Sequence, residues 1–208
     1  MSTNVAARSA HQYGMTLLAT LLILLVVLML GIAAAQIAIQ GEKSSRNDRD
    51  HQIAFQAAEA ALLDAEMDIE HSPDAARSRS DLFSSTSAIG FPDATGSACS
   101  NGIQNRYLGL CPHAQAGTPP IWQGVNFMDD AANTTSSVPY GRFTGQVFYI
   151  ANGSLPVKLP RYIVELMLYK IPGAATDERT YFYRITALGF GARETTQVAL
   201  QTVYRKTH

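Results

Sequence analysis

From Met15 to Ile39 every side chain is uncharged, and Leu, Ile, Val, Ala and Met fill most positions; the first charge beyond is Glu42. As a helix these 25 residues would extend roughly 37 Å at 1.5 Å per residue, longer than a hydrocarbon core of about 30 Å. A helix satisfies its own backbone amides, so such a segment tolerates lipid. The pattern predicts a membrane-spanning helix over 15–40, behind a polar leader at 1–14 that holds Arg8. From 42 to 70 there is no proline, and Ala, Glu, Gln and Leu dominate. Phe55, Ala58, Leu62, Ala65 and Ile69 recur at 3-4-3-4 spacing, which predicts an amphipathic helix over 41–71 that lays this stripe on a sheet, on neighbouring helices or on both. Pro73 sets its end.

Beyond Ser72 the helical period disappears. Residues 72–141 are rich in Ser, Ala, Asp and Gly and read as loop with one or two short elements. From Arg142 the pattern turns to strands, with candidates at 143–150, 162–171, 180–188 and 195–204. In the last, Val198, Leu200 and Thr202 alternate with Ala199, Gln201 and Val203, the period of two of a sheet with one buried face. Residues 189–193 read as a hairpin connection and Pro172-Gly173 as a turn. The fold class expected is α+β: an antiparallel sheet of about four strands over 142–208, covered by the amphipathic half of the long helix.

Three fates of the apolar segment imply three different proteins. An uncleaved anchor would keep Arg8 on the inner side and export everything after Glu42. Secretory cleavage after Ala33-Ala34-Ala35 would release a chain starting at Gln36. Cleavage between Gly14 and Met15 would leave the whole apolar helix at the new N-terminus.

Gly14 ahead of the apolar run, together with the stretch Phe55-Gln56-Ala57-Ala58-Glu59-Ala60, resembles the minor pilins of the PilX type. Cys111-Pro112 followed by Trp122 is similar to the middle of that family. The resemblance implies a pilin-like fold and a structural subunit with no enzymatic activity and no cofactor. It implies that a prepilin peptidase cleaves after Gly14 and N-methylates Met15. It also implies assembly roles for Phe55 and Glu59, with other minor pilins, the major pilin and the inner-membrane assembly platform as partners. Adhesion and twitching motility would follow from the pili. Most pilins carry a glutamate at the position of Ala19, thought to neutralise the neighbouring subunit's free amine; an ammonium in an apolar filament core is costly unless paired. A subunit with none above it needs no such carboxylate, so Ala19 points to the pilus tip, after an inner-membrane stage with the head in the periplasm. A K-type pseudopilin of type II secretion shares these features, and an uncleaved envelope adhesin or sensor is the alternative of another class.

Composition adds restraint. With 16 basic and 17 acidic residues there is no cationic surplus to recruit nucleic acid. Cys99 and Cys111 are the only cysteines, and in an exported domain they are expected to pair. Catalytic and metal sites are not expected. Asp129-Asp130 with Asn133 reads as a solvated loop rather than a calcium site. Glu66, Asp68, Glu70 and His71 read as a solvated helix end. Glu59 bonds within the filament or the head, or stands exposed.

Overall fold

The computed structural model describes residues 15–93, 98–115, 117–151, 153–169 and 180–206. The chain divides into two units, residues 1–47 and 48–208. One helix, α1 (Met15–Glu70), contributes to both. In the first unit it is the only element described. Its side chains are exposed throughout, and an 18-residue window there reaches a mean hydropathy of 3.0 with none of it buried. Leu, Ala and Met favour this helix, no proline interrupts it, and helical bonding continues through Gly31 and Gly41.

The second unit is a sheet with the rest of α1 against one face. Its strands are β1 (Leu110–Cys111), β2 (Val138–Pro139), β3 (Arg161–Tyr169), β4 (Thr180–Phe190) and β5 (Gln197–Tyr204). They order as β1-β3-β4-β5, with β2 also pairing β3. The two long hairpin pairings are antiparallel, running from Arg161 opposite Leu188 to Tyr169 opposite Thr180, and from Tyr183 opposite Tyr204 to Phe190 opposite Gln197. β1 is parallel to β3, so the sheet is mixed and five-stranded, where the sequence pattern predicted about four antiparallel strands. Alternation in β5 holds: Val198 is buried and Leu200, Thr202 and Tyr204 half-buried, while Ala199, Gln201 and Val203 face out.

The predicted strand at 143–150 does not form. Gly141 and Gly145 adopt positive φ and turn the chain, Thr144 gives its hydroxyl to Asp64, and Ser72 Oγ bonds the carbonyl of Phe143 at 2.7 Å. These bonds fix 141–145 beneath the helix instead of in a ladder. The sheet takes its extra strands from the region read as loop, at 110–111 and 138–139. Pro172-Gly173 lies outside the described residues.

Of the stripe predicted on α1, Ala58, Ala65 and Ile69 are fully buried, whereas Phe55 and Leu62 are not. Asp50, Ala54, Ala57, Ala61, Asp64 and Asp68 follow 4-3-4-3-4 spacing and are all buried, with Ala58, Ala65 and Ile69 beside them. Phe55, by contrast, is 37% exposed and Leu62 only half-buried. The reason is close approach. A Cβ placed on Gly189 of β4 would overlap the carbonyl oxygen of Ala54 and the amide nitrogen of Ala58, so helix and strand meet backbone to backbone. Only alanine and glycine fit such a seam. Larger side chains fill the space to one side, where Phe83, Leu108, Leu110, Phe143, Tyr162, Val164, Tyr183 and Ile185 form the main core.

Cys99 and Cys111 are joined as a disulfide. Ser100 N bonds Leu110 O and Gly109 N bonds Ser100 O, both at 2.9 Å, so the backbone already brings the two ends together. Closing a loop with a sequence separation of 12 stabilises by roughly 3 kcal/mol in the chain-entropy account. The Cys99→Ser, Cys111→Ser double variant is expected to lose about that amount, read as a lower midpoint in chemical unfolding of the full chain in detergent.

Candidate functional site

Met15 begins α1 and is 77% exposed, and Ala19 is exposed one turn on, amid Leu17, Leu18, Leu21 and Leu22. Gly14 lies outside the described residues. Further along the helix, Glu59 is exposed and stands four residues from both Phe55 and Leu63, the latter 60% exposed. Side chains four apart are neighbours on a helix, so Phe55, Glu59 and Leu63 form an outward apolar row with one carboxylate in it. The processing residue Met15 and the predicted assembly residues thus lie on exposed helix surface, Met15 and Ala19 in the first unit and Phe55 and Glu59 in the second.

Three aspartates on the buried side of the same helix bind the second unit together. Asp68 is completely buried and accepts from Arg79 Nε at 3.1 and 3.0 Å and from Arg79 Nη2 at 2.7 Å. The guanidinium is itself fully buried, donates to the carbonyls of Arg106 and Leu108 at 3.1 and 2.6 Å, and stacks 3.7 Å from the Phe143 ring centre. Tyr162 gives its hydroxyl to Asp68 at 2.9 Å; burial, reinforced by that carboxylate, pushes its phenol well above the usual range. Every donor in this cluster has a partner, the condition under which buried charge is tolerated. Asp68 is therefore no part of a solvated helix end, though Glu66 and Glu70 are half-exposed and His71 exposed, as the sequence suggested.

Asp64 accepts from the Gly141 amide at 2.9 Å and from the Thr144 hydroxyl. Burial raises its pKa from 3.8 to about 6 despite those bonds. Because the folded state holds this proton more tightly, the group's contribution to stability is greatest below about pH 4 and is lost as pH rises through about 6. A shift of that size corresponds to roughly 2–3 kcal/mol. Asp64→Asn keeps an acceptor for Gly141 and should flatten this loss, measured as the variant's gain on the parent in unfolding midpoint between pH 4 and pH 7.

Asp50 caps the β4–β5 connection. It accepts from Ala192 N at 2.5 Å, Thr196 Oγ1 at 2.5 Å and Arg193 Nε at 2.8 Å. Burial pushes its pKa up, but these bonds outweigh it and hold the carboxyl below its ordinary value. Together the three aspartates position the head on the helix.

Elsewhere the carboxylates are engaged in other ways. Asp129 accepts from Thr134 Oγ1 at 2.7 Å, while Asp130 pairs with Arg161 and with Lys158 at 2.6 Å. Glu165 is buried against Arg184, with two bonds of 2.8 Å. Among the described residues, no group of three or more His, Cys, Asp or Glu side chains converges as metal ligands would. The aspartate bonds hold the helix, the sheet and the loops of the second unit in place. The signal for the aspartate lock was present in the sequence as three acids at 50, 64 and 68 on the period of the alanine seam, but it was hidden within a helix rich in other charges.

Comparison with known families agrees with this reading. Residues 107–206 match the family described as type IV pilus assembly protein PilX, C-terminal, and residues 14–63 match the PilX N-terminal family. No curated protein and no solved structure matches the chain.

Proposed function

The chain belongs to the PilX family of type IV pilus assembly proteins, with both the N-terminal and C-terminal parts of that family present, and from this premise we propose that it primes pilus assembly and remains at or near the tip. A type IV pilus minor pilin is a structural subunit, and its long apolar N-terminal helix fits a membrane anchor. The reading beyond that rests on one observation: Ala19 is an exposed methyl in the uncharged stretch of α1, at the position where a subunit within the shaft would need a carboxylate for its neighbour's amine. In this account a prepilin peptidase cleaves after Gly14 and N-methylates Met15. The head stands on the periplasmic side, and other minor pilins pack along the helix row of Phe55 and Glu59. The assembly platform then adds major pilin beneath. Surface adhesion and twitching motility are consequences of the filament.

The test is where the subunit sits. Immunogold labelling of the full-length protein in sheared pili is expected at filament ends only, and a strain lacking it is expected to show few or no surface pili. Ala19→Glu supplies the missing carboxylate and is expected to spread label along the shaft. Label restricted to ends in both forms, with normal piliation, would remove the tip argument.

A further inference from the structure

β5 ends the sheet, and no described strand pairs with its outer side. Free edges are ordinarily blunted by charge, proline or a bulge, because unpaired amides and carbonyls invite another strand. Gln197 to Tyr204 contains no charge and no proline, and its register with β4 is unbroken over all eight residues. The direction of its amides follows from one bond. Gly191 N donates to Thr196 O at 2.8 Å, so that pair is of the hydrogen-bonded kind, and pairs alternate along an antiparallel ladder. Val198, Leu200, Thr202 and Tyr204 therefore bond β4, while Gln197, Ala199, Gln201 and Val203 present amides and carbonyls outward.

What lies below this edge is equally incomplete. Tyr204 Oη donates to Glu70 Oε2 at 2.9 Å, which fixes the flank of α1 beneath β5. At about 100° per residue, Phe55, Glu59, Leu62, Glu66 and Glu70 share an arc of about 80° on that flank. Phe55 and Leu62 are left partly exposed there, while Ala54 and Ala58, nearer the seam, are covered by Val198 and Leu200. The sheet stops one strand short of covering its helix. Among the described residues neither Glu59 nor Glu66 has an ion-pair partner, so the uncovered strip is apolar with a negative margin.

We propose that the outer edge of β5 and the adjoining flank of α1 receive an extended strand from a neighbouring pilus subunit. The strand's backbone pairs with Ala199, Gln201 and Val203, its alternate apolar side chains cover Phe55 and Leu62, and a Lys or Arg meets Glu59 and Glu66. This rests on the minor-pilin reading, and it specifies a mode of joining by strand addition that helix packing alone does not require.

The full-length protein carrying a photo-cross-linking residue at Ala199 is irradiated in pilus-forming cells, and the adducts are mapped in sheared pili. The expected product joins Ala199 to an apolar segment of another subunit that bears a basic residue. Ala199→Lys in a chain with the cross-linker moved to Val203 should reduce that adduct about tenfold, as should Glu59→Lys with Glu66→Lys. Ala199→Pro is the second edge variant; the amide it removes faces outward and holds no β4 bond, so the unfolding midpoint of the full chain should stay unchanged. Recovery of the protein in pili without such an adduct, an adduct indifferent to these variants, or an adduct to a second copy of the same chain would each overturn the inference while leaving the minor-pilin reading in place. Absence of the protein from pili would overturn both.

Discussion

Arg79→Met is expected to destabilise the head by about 3–5 kcal/mol, the loss seen when one member of a buried ion pair is removed and the other is left without compensation. The substitution strands the Asp68 carboxylate in a site with no solvent access and leaves it only the Tyr162 hydroxyl. It also frees the carbonyls of Arg106 and Leu108, which lie on the approach to β1, and removes the cation stacked on Phe143. Removing both charges with Asp68→Asn and Arg79→Met should cost less than the sum of the single changes, because the isolated buried charge dominates each of them. Chemical unfolding of the full chain in detergent reads both effects. Equal and additive losses would mean that the pair is not coupled as described.

Gly189→Ala is the second large effect expected, about 3 kcal/mol, at the upper end for overpacking. The added methyl would overlap backbone atoms of Ala54 and Ala58, which cannot swing aside as a side chain could, so either β4 or the helix must shift. Gly189 has no positive φ, which makes the cost steric rather than conformational. Gly124→Ala is the matched control, because a Cβ there meets nothing within 4 Å, and its effect should stay near the small values of surface changes. A head displaced from its helix would also misplace Phe55 and Glu59, so the Gly189 variant should be depleted from pili even where it accumulates in the membrane.

These two variants mark where the sequence was informative and where it was not. The apolar helix, its continuation to Glu70 and three of the strands were readable because each depends on a local period in the chain. Gln197 to Tyr204 alternates as a half-buried strand must, and Pro73 lies just past the helix end. The predicted stripe held at Ala58, Ala65 and Ile69 but took Phe55 where Ala54 is the buried residue, because hydrophobicity favours the larger side chain whereas a backbone contact at Gly189 admits only the smaller. Residues 143–150 have strand composition, but the tertiary bonds of Thr144 to Asp64 and of Ser72 to Phe143 claimed their beginning. The two-residue strands β1 and β2 are too short to show any period, and they exist through their pairing with β3. Asp68 and Arg79 each look like surface charges in one dimension; only folding brings them together. Gly14, Met15 and Ala19 belong to the processing and assembly reading, which the fold of the head does not decide.

That reading is tested most directly by the mass and N-terminal sequence of the protein recovered from sheared pili. The account predicts a chain that begins at N-methylated Met15. A chain that retains residues 1–14, or one that begins at Gln36, would contradict it.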